Sequence, residues 1–225
     1  MKKKDTSHTL PLGIKSVRDI PLPKQINYET SLELAWKAIK GSNYKERAEM
    51  SGALWDKEKS KFELNILNRI INIFPDKKEI IAHDDAELQP WEKIIPLHYL
   101  NKADGTNSTG PLISYKEIPD AMLYWPNFVK RTHNIILKSF GSAPEKLLEV
   151  ADKIPAVPLK MADFSLKIKA LPKVEIIIQL WKGDEEFPPQ TAFLFDSNII
   201  HYLPTEDITV LCQMTAIKLA TMMKK

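Results

Sequence analysis

The sequence predicts an α+β fold: a small, mostly antiparallel sheet packed with several helices and closed by a C-terminal helix. Three observations predict it. Helical apolar spacing appears in blocks rather than in repeating β–α units. Two kinds of strand signal occur, the alternation Phe62-Glu63-Leu64-Asn65-Ile66 and the nearly all-apolar run Val174 to Trp181. The chain then closes on a helical apolar face, Ile208, Leu211, Cys212, Ala216 and Leu219.

In order along the chain, residues 1–27 read as an extended arm, because Pro11, Pro21 and Pro23 forbid a long helix. Residues 28–225 read as a single α+β domain. Glu29 to Lys40 carries Leu32, Ala35, Trp36 and Ile39 on one helical face and stops at Gly41. Asn43 is placed to cap a second helix reaching about Leu54. Phe62 to Ile66 is a half-buried strand, and Arg69 to Phe74 continues the sheet until Pro75. Pro90 suits a helix start, and Pro96 is expected to bend or shorten that helix.

Asn101 to Pro111 is a loop, and Leu112 to Tyr115 a short strand. Met122 to Phe140 reads as a long helix, broken or begun around Pro126 and closed by Gly141. Pro144 to Ala151 is a further short helix. Phe164 to Ile168 and Thr191 to Phe195 are strands, and Val174 to Trp181 suits a central one. Thr205 is the expected cap of the closing helix, with Glu206 and Asp207 favourably placed against its dipole. No internal repeat is present.

Composition excludes several classes. The 32 basic and 29 acidic side chains nearly balance, so no clustered basic surface marks a nucleic-acid binder. The single cysteine, Cys212, forbids an intrachain disulfide framework or a multi-thiolate zinc or iron–sulfur site. No apolar run has the length of a membrane span, and no apolar h-region follows the N-terminal charges; the expected location is cytoplasmic. There is no glycine-rich phosphate loop, HExxH helix or GxSxG elbow.

Three groups of residues remain as candidates for chemistry. The tripeptide His-Tyr-Leu occurs twice, at 98–100 and 201–203, and a neutral imidazole nitrogen at His98 or His201 is a potential metal ligand. Both sit in apolar surroundings, where a buried, hydrogen-bonded histidine is the plainer reading. Asp184, Glu186, Asp196, Glu206 and Asp207 form an acidic region with hard-ligand chemistry, although turns and caps also account for them. Tyr124 and Trp125 with Phe128, and Trp181 with Phe187, offer flat walls for a planar ligand or an ordinary core.

The ordered set LHYL, ISYKEIP, LYWPNFVKR, LPKVEIIIQLWKGDEEFPP and LFDSNIIHYLPTED resembles the domain-of-unknown-function family 3786, from about Tyr28 onward. That resemblance implies anaerobes, an association with cysteine-rich iron–sulfur proteins and corrinoid-dependent one-carbon metabolism, and hence a tetrapyrrole partner. This chain carries no cysteine module and no D-x-H-x-x-G cobalamin motif.

The expectation is a carrier or accessory factor for a corrinoid (cobalamin-type) or haem group. His98 or His201 would be the axial ligand and Tyr124, Trp125, Trp181 and Phe187 the walls. Asp184 and Glu186 would accept hydrogen bonds from corrin amides. A corrinoid or iron–sulfur protein is the expected protein partner. Two rival expectations are a metal-dependent enzyme using the acidic 184–207 region and a non-catalytic interaction module.

Overall fold

The structure, a computed structural model, describes residues 25–108 and 110–223. The arm expected over residues 1–27 lies outside them as far as residue 24. Gln25 to Tyr28 already belong to helix α1 (Gln25–Ile39), which therefore begins before Glu29. Gly41, at φ +75°, ends that helix as expected. Asn43 caps α2 (Tyr44–Ser51) by accepting from the Glu46 amide at 3.3 Å.

The strands divide into two antiparallel sheets. The first is a meander of β1 (Leu54–Asp56), β2 (Lys61–Ile66), β3 (Arg69–Phe74) and β4 (Glu79–Ala82). Leu67 and Asn68 make the two-residue β2–β3 turn at φ +50° and +64°, the conformation that matches strand twist. Leu67 is buried, and its amide donates to Ala170 of the second sheet at 3.0 Å. The turn thus fastens one sheet to the other.

The second sheet contains β5 (Leu112–Ser114), β6 (Ala156–Leu159), β7 (Phe164–Leu171), β8 (Val174–Trp181) and β9 (Gln190–Asp196), in the order β5-β9-β8-β7-β6. The all-apolar β8 is central, as its composition demands: Ile176, Ile178 and Leu180 have no exposed surface. β1, β4 and β6 have no counterpart in the sequence reading. They are edge strands of three or four residues, too short to show an alternation.

α3 (Pro90–Lys102) runs through Pro96 without stopping. The proline costs about 3 kcal/mol in a helix interior, but each fully buried Leu or Ile contributes roughly 1.5–3 kcal/mol. Ile95, Leu97, Tyr99 and Leu100 are all completely buried, so packing outweighs the lost backbone bond. The long helix expected over 122–140 is instead a 3₁₀ turn (Ala121–Tyr124), α4 (Trp125–Arg131) and α5 (His133–Phe140). The break is at Thr132 (φ −129°, ψ −70°), whose hydroxyl donates to the Phe128 carbonyl at 2.6 Å.

A short α6 (Lys146–Glu149) leads towards β6. α7 (Thr205–Met222) closes the chain, with Pro204 rather than Thr205 as its cap. The Thr205 hydroxyl donates instead to the Pro119 carbonyl at 3.0 Å, tying the 115–124 segment to this helix. One continuous cluster of buried side chains joins both sheets to α1, α3, α5 and α7. Among the described residues no helix is long and apolar enough to cross a membrane.

The two His-Tyr-Leu tripeptides meet at their tyrosines. The Tyr99 and Tyr202 rings stack with centroids 5.8 Å apart, and both are fully buried. The Tyr99 hydroxyl donates to the Ser51 carbonyl at 2.5 Å and accepts from the Lys173 amide at 3.1 Å. It links the end of α2, α3 and the β7–β8 turn. Tyr99→Phe should therefore lower the unfolding free energy in urea by about 1–3 kcal/mol, since two backbone groups lose a buried partner.

Candidate functional site

Two histidine–carboxylate pairs join the C-terminal end of α3 to the start of α7. His98 lies on α3 and meets Asp207, in the first turn of α7, at 2.6 Å between Nδ1 and Oδ2. Asp207 is only 6% exposed, while the His98 side chain keeps 28% of its surface. His201 meets Asp104, just beyond α3, at 2.7 Å through its own Nδ1. This second pair is open to solvent, with side-chain exposures of 42% and 48%. In each pair Nδ1 is engaged and Nε2 has no hydrogen-bond partner among the described residues.

Burial alone would lower the His98 pKa. The hydrogen bond and charge of Asp207, with the charge of Glu206, outweigh it and hold the pKa above the usual histidine value. Asp104 is held well below the usual carboxylate range, chiefly by the Thr106 hydroxyl and amide and further by His201.

A third histidine behaves oppositely. His133 is packed edge-on to Trp125 and Phe128, at 5.4 and 5.5 Å. Its burial, and then the charge of Lys116, push its pKa down to about 4. Its helical, polar neighbours in sequence gave no sign of this aromatic setting. Trp125 stacks on Phe128 at 5.8 Å and is covered by the Lys116 ammonium at 4.4 Å from its ring centroid. It is a wall of the core, while Tyr124 beside it is 42% exposed.

Trp181, Asp184, Glu186 and Phe187 are not beside the histidines. Gln190 of β9 pairs with Trp181, and β9 runs from there to Asp196, shortly before His201. Six residue steps of strand separate the two ends by about 20 Å. The sequence reading placed His201 near this turn because both lie in the one short segment Trp181 to Asp207; the strand β9 between them carries the chain away.

The turn itself has a structural explanation. The Asp184 carboxylate accepts from the Glu186 and Phe187 amides at 2.9 and 2.7 Å, and these bonds lower its pKa. A Cβ at Gly183 would come within 2.8 Å of the Pro189 ring and nitrogen. The W-x-G-D-E-E-F-P-P pattern is thus the chemistry of one tight turn. The remaining acids are equally dispersed: Asp196 accepts from the Asn198 amide at 2.9 Å and from Ser108 at 2.6 Å. Among the described residues no three His, Cys, Asp or Glu side chains are grouped to hold a metal ion.

The molecule is therefore an α+β protein of two antiparallel sheets, with paired histidines and carboxylates where α3 meets α7. The chain belongs to the family described as Domain of unknown function (DUF3786), whose model matches residues 43–218 and so includes both pairs. No curated protein and no solved structure matches the chain.

Two half-buried histidines, His98 and His133, give pH effects of opposite sign. His98 holds its proton to higher pH in the folded than in the unfolded chain. Its contribution is complete below about pH 6.5 and lost as the pH rises through the folded value. His133 contributes above about pH 6.5, and that stability is lost as the pH falls towards about 4, because only the unfolded chain takes up the proton. Ring-proton NMR titration should show the His98 pKa falling in Asp207→Asn; an unchanged value would refute the pair. Gly183→Ala should cost about 1–3 kcal/mol in urea unfolding, through displacement of Pro189.

Proposed function

We propose that the protein binds a metallo-tetrapyrrole, a corrinoid first and haem second, as a carrier or accessory factor in anaerobic one-carbon metabolism. The observation that carries this reading is the His98–Asp207 pair. A carboxylate on Nδ1 fixes the tautomer and makes the free Nε2 a better metal donor. A bare ion needs three or four protein ligands, whereas a metal already held by a macrocycle needs one or two. A single oriented histidine suits the second case.

The donor chemistry fits; the walls named from sequence fit only in part. Trp181 and Phe187, with Asp184 and Glu186, belong to the far turn, and Trp125 is committed to the core. The exposed apolar turn Met122-Leu123-Tyr124 takes their place: the Thr205–Pro119 bond ties its segment to the same helix end as Asp207. His201 is the alternative donor, more exposed and supported by Asp104. A carrier role suits a chain whose one thiol, Cys212, is wholly buried with its pKa raised well above the ordinary value by that burial. The cytoplasm, and a corrinoid or iron–sulfur protein as exchange partner, complete the proposal.

Titration of the purified protein with hydroxocobalamin and with haem, under anaerobic conditions, should shift the visible spectrum. His98→Ala should abolish the shift, and Asp207→Asn should weaken binding about 10–100-fold. Absence of a shift with either compound, or a shift untouched by both His98→Ala and His201→Ala, would overturn the proposal.

A further inference from the structure

A cleft of about 380 Å³ opens beside the C-terminal half of α7, away from the histidines. Ile66 and Ile71 of the first sheet, Trp91 of α3, and Met214, Ile217 and Met222 of α7 form its apolar walls. The three α7 side chains are only half-buried, so hydrocarbon surface is left open to water there. The charges at the cleft cancel. Arg69 binds Asp84 at 3.0 Å and Glu92 at 3.2 Å, and Lys218 feels the same two carboxylates. The cleft therefore selects no charged ligand; what it offers is apolar surface to be covered.

The helix α1 brings an occupant to its edge. Asn101, near the end of α3, donates to the Ala35 carbonyl at 2.9 Å. Leu32 packs against the cluster of Trp91, Ile94, Ile95 and Val210, at the start of α3. α1 and α3 therefore run the same way, and the start of α1 lies at the Trp91 end. About 10 Å of helix separates Leu32 from Gln25.

Directly before Gln25 the chain reads Ile20-Pro21-Leu22-Pro23-Lys24. A residue ahead of a proline favours extended backbone, in which side chains two apart face one side. Ile20 and Leu22 both stand ahead of a proline. The prolines bring no amide donor that apolar walls would leave without a partner. They also restrict the chain beforehand, which lowers the entropy cost of docking. Extended, the stretch from Gln25 back to Ile20 spans about 16 Å, enough to carry both side chains past Trp91.

We infer that the segment 20–23 of this chain seats in the cleft, with Ile20 and Leu22 against Met214, Ile217 and Met222. The arm is then a strap that ties the start of α1 to α7 and the first sheet. This inference is independent of tetrapyrrole binding, since it uses none of the histidines.

The test places a nitroxide on Ser16→Cys in the full chain and reads isotope-labelled methionine methyl groups by NMR. The native thiol, Cys212, is buried and does not compete for the label. The nitroxide should broaden the Met214 and Met222 signals. Adding Ile20→Asp with Leu22→Asp should restore most of the lost intensity, although the tether to α1 is unchanged. Met161 is the reference for an intact fold: it lies at the far end of β7 from Ala170, which bonds Leu67 beside the cleft. No broadening, or broadening equally strong in the double variant, would overturn the inference. So would broadening seen only when nitroxide-bearing protein is mixed with separately isotope-labelled protein, since the cleft would then hold the arm of a second copy.

Discussion

The fully buried hydroxyl of Tyr99 is the constraint on which most of the architecture rests. A buried phenol must be hydrogen-bonded, and this one reaches two backbone groups from different parts of the chain, at Ser51 and Lys173. Its ring stacks on Tyr202, whose own hydroxyl donates to the Thr106 carbonyl at 2.5 Å. These contacts set where α3 lies against the second sheet and against the segment leading into α7. Once that is set, His98 and His201, each one residue before a stacked tyrosine, are both brought to carboxylates at the same end of the fold.

The helix α3 shows how local preference yields to packing. Pro96 argues for a bend, yet residues on nearly every side of the helix are buried, and their combined burial exceeds the cost of one missing amide. The reverse happens at Thr132. There the apolar periodicity argues for one long helix, but a side-chain hydroxyl takes the Phe128 carbonyl and the helix divides. That division allows His133 to turn in among Trp125, Phe128 and Phe193. A histidine with polar sequence neighbours thus becomes one whose charged form burial disfavours.

The acidic segment after β8 illustrates why a distinctive motif need not be a binding site. Its glycine is required by the closeness of Pro189, and its aspartate accepts from two amides of the same turn. Asp207 is the opposite case. Its position in a helix first turn satisfies the dipole argument and so conceals its second role, the partner of a histidine 109 residues earlier in the chain.

The amino-acid sequence by itself determined the α+β class, the helices around Trp36 and Leu211, the central place of β8 and both His-Tyr-Leu tripeptides. These follow from periodicity, composition and capping, which act over a few residues. Only the tertiary structure decided that the strands form two sheets, that His98 belongs with Asp207 and His201 with Asp104, and that Trp181, paired with Gln190, lies at the other end of β9 from the segment that carries His201. It also decided that Arg69 of the first sheet, Glu92 of α3 and Lys218 of α7 line one apolar cleft. The reason is physical: pairing between distant residues depends on how buried faces pack together, and no local pattern in the chain records which partner a side chain will meet.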